Sequence, residues 1–362
     1  MDYLTFRKVK IGGHHLVPGS QPYFIADIAA NHDGDLNRAK DLIYLAAEAG
    51  AHAAKFQHFK ASTIVSDFAF KKLSSNNSHQ SSWNKSVYEV YDDASVSWEW
   101  TQELQQACSE SGITFFTTPY SLEAVDFFNE FVPAYKIGSG DITWHDLLRK
   151  VANKNKPYIL ATGASSIREV VSAVDVCTDI NSQLILMQCN TNYTASTDNF
   201  KYINLNVLKT YNALYPDCVL GLSDHTPGHA TVLGAIALGA VAIEKHFTDD
   251  NTRTGPDHMF SMSPQSWREM VDRSTELFLS LGSTVKRVED NEKDSIVVQR
   301  RSICASLDIP AGTCLNSSHL SILRPSPPNS FTPFDIEKVV GKTLSRSLKA
   351  GESFTPSHFH QC

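Results

Sequence analysis

Short apolar runs recur along most of the chain, and each is followed by a polar turn and then by an amphipathic helical pattern. Eight such runs occur, at residues 23–29, 51–57, 113–119, 134–139, 157–163, 183–189, 218–224 and 240–246. Near-continuous apolar strands that alternate with helices are typical of a parallel sheet covered on both faces. Eight strand–helix units within about 250 residues predict an α/β fold, a (β/α)8 barrel.

The rest of the pattern divides the chain into further parts. Residues 60–95 are more than a barrel loop needs and are rich in Ser, Asn and aromatic residues, which predicts a lid or substrate loop, or else a disordered insertion. Beyond the barrel a charged stretch leads into short strands and turns, where DIPAGTCL and SLKAGESF resemble each other. We therefore predict a catalytic barrel with an N-terminal hairpin over 1–284, a linker over 285–299 and a small β-rich domain over 300–362.

Composition excludes several classes of protein. The chain has 362 residues, of which 42% are hydrophobic and 20% charged, as in ordinary globular proteins. A net charge of −7 and the absence of a Lys/Arg run argue against a nucleic-acid partner. The start, MDYLTFRKVK, lacks the apolar core of a signal peptide, and no apolar stretch is long enough for a membrane span. Seven scattered cysteines without a CxxC pair predict reduced thiols and a cytoplasmic protein.

Polar residues cluster where the predicted strands end, which in a (β/α)8 barrel is the active face. Lys55 and Lys136 both lie inside apolar strands. One strand lysine is more often a salt-bridged structural residue, but two flexible cations at one barrel mouth suit a phosphate and a carboxylate. Serine and threonine hydroxyls, with the turns IGSGD and ATGASS, could complete an anion cradle.

Two histidines end the last two predicted strands. His225 follows Asp224, and His246 follows Glu244 and Lys245. A lone strand-end histidine is usually a hydrogen-bonded structural residue, whereas two on neighbouring strands beside carboxylates favour a shared divalent metal. Two imidazoles completed by carboxylate or water would suit Mn²⁺, Co²⁺ or a similar ion, and not a closed structural zinc site.

At these residues the chain resembles the N-acetylneuraminate (sialic acid) synthase family, including its legionaminate and pseudaminate members. The matching stretches are IADIAANHDG, AAKFQ, FFTTPYS, AYKIGSGD, PYILATGASS, GLSDHT, AIEKHFT and GPDH, and the tail resembles the family's antifreeze-like (SAF) domain. The resemblance implies metal-dependent condensation of phosphoenolpyruvate (PEP) with an open-chain N-acylated amino sugar, which gives a 2-keto-3-deoxy sugar acid and phosphate. It implies Mn²⁺ first, with Co²⁺ or Mg²⁺ as alternatives.

The resemblance also implies roles for individual residues. The metal ligands fall on His225 and His246. The residues expected to bind PEP are Lys55, Thr118, Lys136, Ser139 and Ser223, with Thr191 and Tyr193 as further candidates. The sugar-contacting acids fall on Glu244 and Asp257. Arg324, in LRPSPPN, matches an arginine that the family's SAF domain sends into a partner's active site, which implies a domain-swapped homodimer. The catalytic candidates are Lys136, which would stabilise charge, and Glu244, Asp27 and Asp141, one of which would position the attacking water.

Some features depart from the family's pattern. Asp27 and Asp141 stand where well-known members carry Glu, and CNTNYTAS lacks the usual prolines around its tyrosine. These differences bear on the identity of the sugar more than on the reaction. An alternative is another barrel enzyme that adds a PEP- or pyruvate-derived carbon to a different aldose, such as a Schiff-base aldolase with Lys136 or Lys55 as nucleophile. A further alternative is a binding protein with an inactive barrel and a ligand-binding tail.

Overall fold

A computed structural model describes residues 8–73, 80 and 83–360 of the chain. Parts of the predicted insertion, residues 74–79 and 81–82, lie outside the described residues, as does Cys362. The chain forms two compact units that divide between Gly282 and Ser283. Six of the seven cysteines lie in the described ranges, and all six are free thiols.

The first unit contains a closed eight-stranded parallel barrel, which confirms the predicted fold class. A hairpin of β1 (Val9–Ile11) and β2 (His14–Leu16) precedes it. The barrel strands are β3 (Tyr23–Asp27), β4 (Ala53–His58), β5 (Thr114–Pro119), β6 (Tyr135–Ile137), β7 (Tyr158–Ala161), β8 (Leu184–Cys189), β9 (Val219–Asp224) and β10 (Ala240–His246). β10 pairs with β3 and closes the sheet, with His246 opposite Asp27.

Helices cover the outside of the barrel. They are α1 (Leu36–Glu48), α5 (Thr101–Glu110), α6 (Leu122–Phe127), α7 (His145–Ala152), α8 (Ile167–Thr178), α9 (Val207–Leu214), α10 (Ala230–Ala237) and α11 (Pro264–Leu281). Capping side chains fix where several of these helices begin. At α1, for example, the Asp35 carboxylate accepts hydrogen bonds from the backbone amides of Asn37 and Arg38. In the described ranges, no helix combines the length and apolar character needed to cross a membrane.

The predicted insertion folds into short helices where it is described. These are α2 (Ala61–Ile64), α3 (Asp67–Lys72) and α4 (Val87–Asp93), and they follow β4 on the carboxyl-terminal side of the barrel. α4 begins with a capping box in which the Ser86 hydroxyl and the Glu89 carboxylate satisfy each other's backbone amides.

The second unit has its own small core. The second unit contains α12 (Lys293–Gln299), which lies in the segment predicted as a linker. It also contains the antiparallel strands β11 (Ser302–Ala305) and β12 (Leu320–Leu323). The two similar sequence pieces pair with each other, since Ile309 and Leu348 exchange backbone hydrogen bonds of 2.9 Å. Each piece then turns at a glycine of positive φ, Gly312 at 81° and Gly351 at 84°.

Candidate active site

Lys55 is a buried cation at the mouth of the barrel. Its Nζ donates to Asp27 Oδ2 at 2.6 Å and to Thr118 Oγ1 at 3.2 Å. Burial alone would raise the pKa of Asp27, but the charge of Lys55 and hydrogen bonds from Lys55 and Gln57 outweigh it and bring the pKa down to about 2. Burial would lower the pKa of Lys55, yet the charges of Asp27 and Glu244 raise it overall. The Lys55–Asp27 pair is therefore ionised at neutral pH.

Lys136, on β6, forms a second buried ion pair. Its Nζ lies 2.5 Å from Glu244 Oε1, which also accepts from Ser223 Oγ at 3.1 Å. Burial acts to raise the pKa of Glu244, but the charges of Lys136 and Lys55 lower it overall. Glu244 Oε2 is buried and has no hydrogen-bond partner within the described residues. A buried carboxylate oxygen without a hydrogen-bond donor is costly, and a donor group on a ligand would relieve that cost.

Hydroxyl groups border the two lysines. Ser139 Oγ accepts from the Gly163 amide at 2.9 Å, and Thr191 packs against the same glycine. A Cβ added at Gly163 would lie 2.4 Å from Thr191 Cγ2 and 2.9 Å from Ser139 Oγ, so this close approach requires glycine. The structure thus brings the two predicted Gly-rich turns together beside the lysines.

His225 and His246 converge as the sequence predicted. Their ring centroids lie 5.4 Å apart, and Tyr193 packs at 4.3 Å from His225. Burial lowers the pKa of both imidazoles, that of His246 to about 3, so both are neutral at pH 7. His225 Nδ1 is 2.9 Å from the Asn190 carbonyl oxygen. In the tautomer that carries its proton on Nδ1, this nitrogen donates to the carbonyl, and Nε2 keeps a free electron pair for a metal ion.

These two imidazoles fit a divalent ion with open coordination positions. His246 Nδ1 is buried without a hydrogen-bond partner among the described residues, although Asp257 Oδ2 lies 3.9 Å away. The described ranges hold no group of three or more His, Cys, Asp or Glu side chains arranged for a metal. The protein would therefore supply two strong ligands, and water or substrate oxygen would have to complete the coordination.

Asp257 lies on the loop after β10 and faces the same mouth. Its Oδ2 accepts from the Ala30 amide at 3.1 Å. Burial and the nearby charge of Asp27 raise its pKa to about 7, despite the Ala30 hydrogen bond and Lys55. Asp257 and His246 line a cavity of about 170 Å³.

Two further predicted site residues, Asp141 and Arg324, lie in different units of the chain. Asp141 follows Ser139 on a 3₁₀ turn, and burial raises its pKa to about 6. Its Oδ2 is buried without a hydrogen-bond partner in the part of the chain described. Arg324 lies in the second unit, where it is exposed and directly precedes a cis proline bond.

A third buried lysine faces away from the mouth. Lys245 Nζ lies 2.5 Å from Asp224 Oδ2 and also donates to the Thr226 carbonyl at 2.6 Å. Asp224 accepts further hydrogen bonds from Thr226 and from Thr231 on α10. Successive strand residues point to opposite faces, so Glu244 and His246 face inward while Lys245 faces the helix layer. The polar residues at the strand ends therefore face two different places, the barrel mouth and the helix layer.

Sequence reasoning gave no role to Gln57 or Tyr120. Gln57 Nε2 donates to Asp27 Oδ2 at 2.9 Å, and Tyr120 lines the cavity beside it. The sequence already places Gln57 with Lys55 among the polar residues at the strand ends, and the period-two pattern puts both on the same face of β4. No pattern indicated Tyr120 as a lining residue, although it lies within the matching stretch FFTTPYS.

The mouth of the barrel carries two ion-paired lysines, two neutral histidines and several hydroxyls, and enzymes of the (β/α)8 fold hold their active sites at this face. Residues 42–286 match the NeuB family, and residues 300–360 match the SAF domain. An N,N'-diacetyllegionaminic acid synthase of Legionella pneumophila is 34% identical over 362 residues, with 96% of this chain and 99% of that protein covered. The chain belongs to the NeuB family, which confirms the resemblance, and it is an enzyme of the synthase class.

Other relatives agree with this assignment. The N-acetylneuraminate-9-phosphate synthase of Homo sapiens is 34% identical over 330 residues, with 91% of this chain and 90% of that protein covered. A crystal structure of an N-acetylneuraminic acid synthetase from Leptospira borgpetersenii, in complex with citrate, superposes with a TM-score of 0.70. That structure is 27% identical and covers 82% of this chain and 97% of its own.

Proposed function

We propose that this enzyme condenses PEP with an open-chain N-acylated amino sugar, of the N-acetylmannosamine or 2,4-diacetamido hexose type, and releases phosphate. The observation that carries the proposal is the arrangement of Lys55 and Lys136 around one barrel mouth that also holds His225 and His246. The relatives support it, since they are named as synthases of N,N'-diacetyllegionaminic acid, pseudaminic acid and N-acetylneuraminate-9-phosphate.

The lysines would hold the two acid groups of PEP. In the free enzyme Asp27 and Glu244 keep each ammonium in place, so the cations are preorganised before the substrate arrives. The Thr118, Ser139 and Ser223 hydroxyls border this region and would donate to phosphate or carboxylate oxygens. The bound anion would compete with the carboxylates for the lysines, and a released carboxylate would become available to accept a proton.

That proton transfer would activate water. When the C3 carbon of PEP attacks the aldehyde, positive charge develops at C2, and water must add there before phosphate leaves. Glu244 and Asp27 are paired with the lysines, and Asp141 ends the 3₁₀ turn that begins at Ser139, so each is a candidate to orient or deprotonate the water. Lys136 would stabilise negative charge on the PEP acid groups throughout.

A divalent ion held by His225 and His246 would supply Lewis acidity toward the aldehyde oxygen, and Mn²⁺ suits neutral imidazole with oxygen ligands. Asp257, next to His246, would contact the acceptor's hydroxyls. Arg324 would act on the N-acyl group from the partner subunit of a domain-swapped homodimer. It forms no hydrogen bond or ion pair within the described part of its own chain, which leaves its guanidinium available.

The test is PEP-dependent phosphate release across a panel of N-acylated hexosamines with Mn²⁺. We expect release only when acceptor and metal are both present, and loss of it with His225→Ala or with excess chelator. His229→Ala is a matched control, because His229 lies four residues along the chain at the start of α10. Full activity in excess chelator would contradict the metal assignment, and no release with any acceptor would contradict the reaction.

The structure disfavours a Schiff-base aldolase. A nucleophilic lysine needs a lowered pKa, whereas the pKa of Lys55 is raised by its carboxylate neighbours despite burial. Lys136 is held by Glu244 at 2.5 Å. Borohydride trapping with pyruvate tests this alternative, and we expect no covalent adduct.

A further inference from the structure

A buried polar cluster lies on the loops that follow β3 and β10. The side chains of Thr248 and His258 are fully buried. His258 Nδ1 lies 2.7 Å from Thr248 Oγ1, and His258 Nε2 lies 2.9 Å from Asp33 Oδ1. Because an ionised carboxylate only accepts hydrogen bonds, Nε2 carries the proton in the contact with Asp33. We call Asp33, Thr248 and His258 the polar anchor.

The polar anchor joins the two loops that meet where the barrel closes. Asp33 lies between β3 and α1, whereas Thr248 and His258 lie between β10 and α11. The backbone between Thr248 and His258 packs closely on the imidazole, since a Cβ added at Gly255 would lie 2.6 Å from His258 Cδ2. From the same loop, Arg253 Nη2 donates to Asp33 Oδ2 at 2.7 Å. The imidazole therefore connects one loop to the other.

Residues on both sides of His258 in the chain face the barrel mouth. Asp257 Oδ2 accepts from the Ala30 amide at 3.1 Å and lies 3.9 Å from His246 Nδ1. Phe260 packs against the His246 ring, with 4.9 Å between the ring centroids. His258 itself is held by the polar anchor, so the anchor fixes the backbone from which Asp257 reaches the mouth.

The polar anchor has the composition of a catalytic triad, namely a hydroxyl, an imidazole and a carboxylate. A nucleophile must contact the reacting atom of the substrate. The Thr248 side chain is fully buried and its hydroxyl lies against the imidazole, so a substrate cannot reach it. The anchor therefore acts on the reaction only through the groups that it holds in place, and Asp257 is its neighbour in the chain.

We propose that His258 is a positioning residue that, through Asp33 and Thr248, holds the Asp257 carboxylate where the acceptor sugar binds. This proposal rests on the proposed function and adds a residue to it. Misplacing a group at an active site by about 1 Å can cost about 100-fold in rate. The loss of the anchor should affect the acceptor and not PEP, because the lysines proposed to bind PEP lie on β4 and β6.

The experiment measures steady-state phosphate release with Mn²⁺, PEP and the better of two acceptors, N-acetylmannosamine and a 2,4-diacetamido-2,4,6-trideoxyhexose. His258→Ala removes both hydrogen bonds of the imidazole. We expect kcat/KM for the acceptor to fall by about 10- to 100-fold, mostly through a higher KM, while the KM for PEP stays unchanged. His258→Gln keeps an amide that can donate to Asp33 and should be at least about 3-fold better than His258→Ala.

A double variant tests whether His258 acts through Asp257. Asp257→Ala removes the carboxylate, after which the anchor has nothing to position. Adding His258→Ala to Asp257→Ala should therefore change kcat/KM for the acceptor by less than about 2-fold, whereas independent roles would multiply the two losses.

Two further variants separate positioning from folding. Asp33→Gly removes the partner of Nε2 where the side chain is 25% exposed and the φ of 51° suits glycine, so the fold should survive. It should show the same selective loss for the acceptor. His52→Ala is the matched control, because His52 accepts from the Phe24 amide at 3.0 Å and precedes β4 at the end of the barrel opposite the mouth. It should lower the stability and leave the KM for the acceptor unchanged.

The outcomes distinguish this proposal from the function on which it rests. Equal losses for acceptor and PEP, an unchanged kcat/KM in both His258→Ala and Asp33→Gly, or fully multiplied losses in the double variant would overturn the positioning role and leave the condensation intact. If neither acceptor supports phosphate release by the wild-type enzyme, the proposed function fails and the positioning role fails with it.

Discussion

Lys245 offers a test of whether the buried lysines of this barrel have separate roles. It lies one residue from the Glu244–Lys136 pair, yet it faces the helix layer and holds Asp224 at 2.5 Å. Lys245→Met keeps an unbranched side chain one atom shorter than lysine and removes its charge. Asp224 would keep its hydrogen bonds from Thr226 and Thr231 but would lose its counter-charge.

The size of the effect follows from that loss. Removing one partner of a buried ion pair costs about 3–5 kcal/mol. The remaining carboxyl can escape the penalty by binding a proton, which at pH 7 costs about 4 kcal/mol from an unperturbed pKa near 3.9. We therefore expect the free energy of unfolding to fall by about 3–4 kcal/mol, and the melting temperature by roughly 6–12 °C. The double variant Asp224→Asn/Lys245→Met should recover at least half of the loss, because no unpaired charge remains.

Tryptophan fluorescence can follow this transition, because all five tryptophans precede Gly282 and so report on the barrel alone. Calorimetric titration with PEP on the folded variant supplies the second readout. Lys245→Met should bind PEP as the wild type does, whereas Lys136→Met should bind it much more weakly. Weak PEP binding by a Lys245→Met enzyme of unchanged stability would refute the division between inward and outward lysines.

Three further predictions concern the mouth, the partner subunit and acid stability. Lys55→Ala should weaken PEP binding by roughly 2–3 kcal/mol, and unchanged affinity on titration would place the anion elsewhere. Mixing inactive Arg324→Ala subunits with inactive His246→Ala subunits should restore up to about a quarter of the sites, since one swapped interface then carries no lesion; mixed dimers that form but stay inactive would show that the arginine does not act in trans. Burial lowers the pKa of His58 to about 3, so the stability that neutral His58 provides is present above pH 6.5 and is lost as pH falls toward 3. Between pH 7 and pH 5 the free energy of unfolding of His58→Gln should therefore fall by about 2 kcal/mol less than that of the wild type. The same pH dependence of the free energy of unfolding in both proteins would contradict this.

The sequence determined the fold because its periodicity is strong and local. The eight apolar runs match β3–β10 to within a few residues, since parallel strands covered on both faces need continuous apolar side chains. Capping residues such as Asp35 and Ser166 fixed helix starts through bonds within three residues. The sequence also predicted that Lys55, Lys136 and the two histidines lie at one mouth, because all strands of a (β/α)8 barrel end at the same face.

Tertiary structure decided which charged groups meet. Asp27 and Lys55 are 28 residues apart, and Lys136 and Glu244 are 108 apart, so no local pattern pairs them. Asp224 and Glu244 looked equivalent as strand-end acids, but the alternation of side chains sent one toward the helix layer and the other into the mouth. The lining of the mouth cavity was equally hidden, because Phe59 follows β4 and Tyr91 lies on α4, and only packing brings them together. Local sequence sets backbone periodicity, whereas the partners of a buried charge depend on which distant elements fold against it.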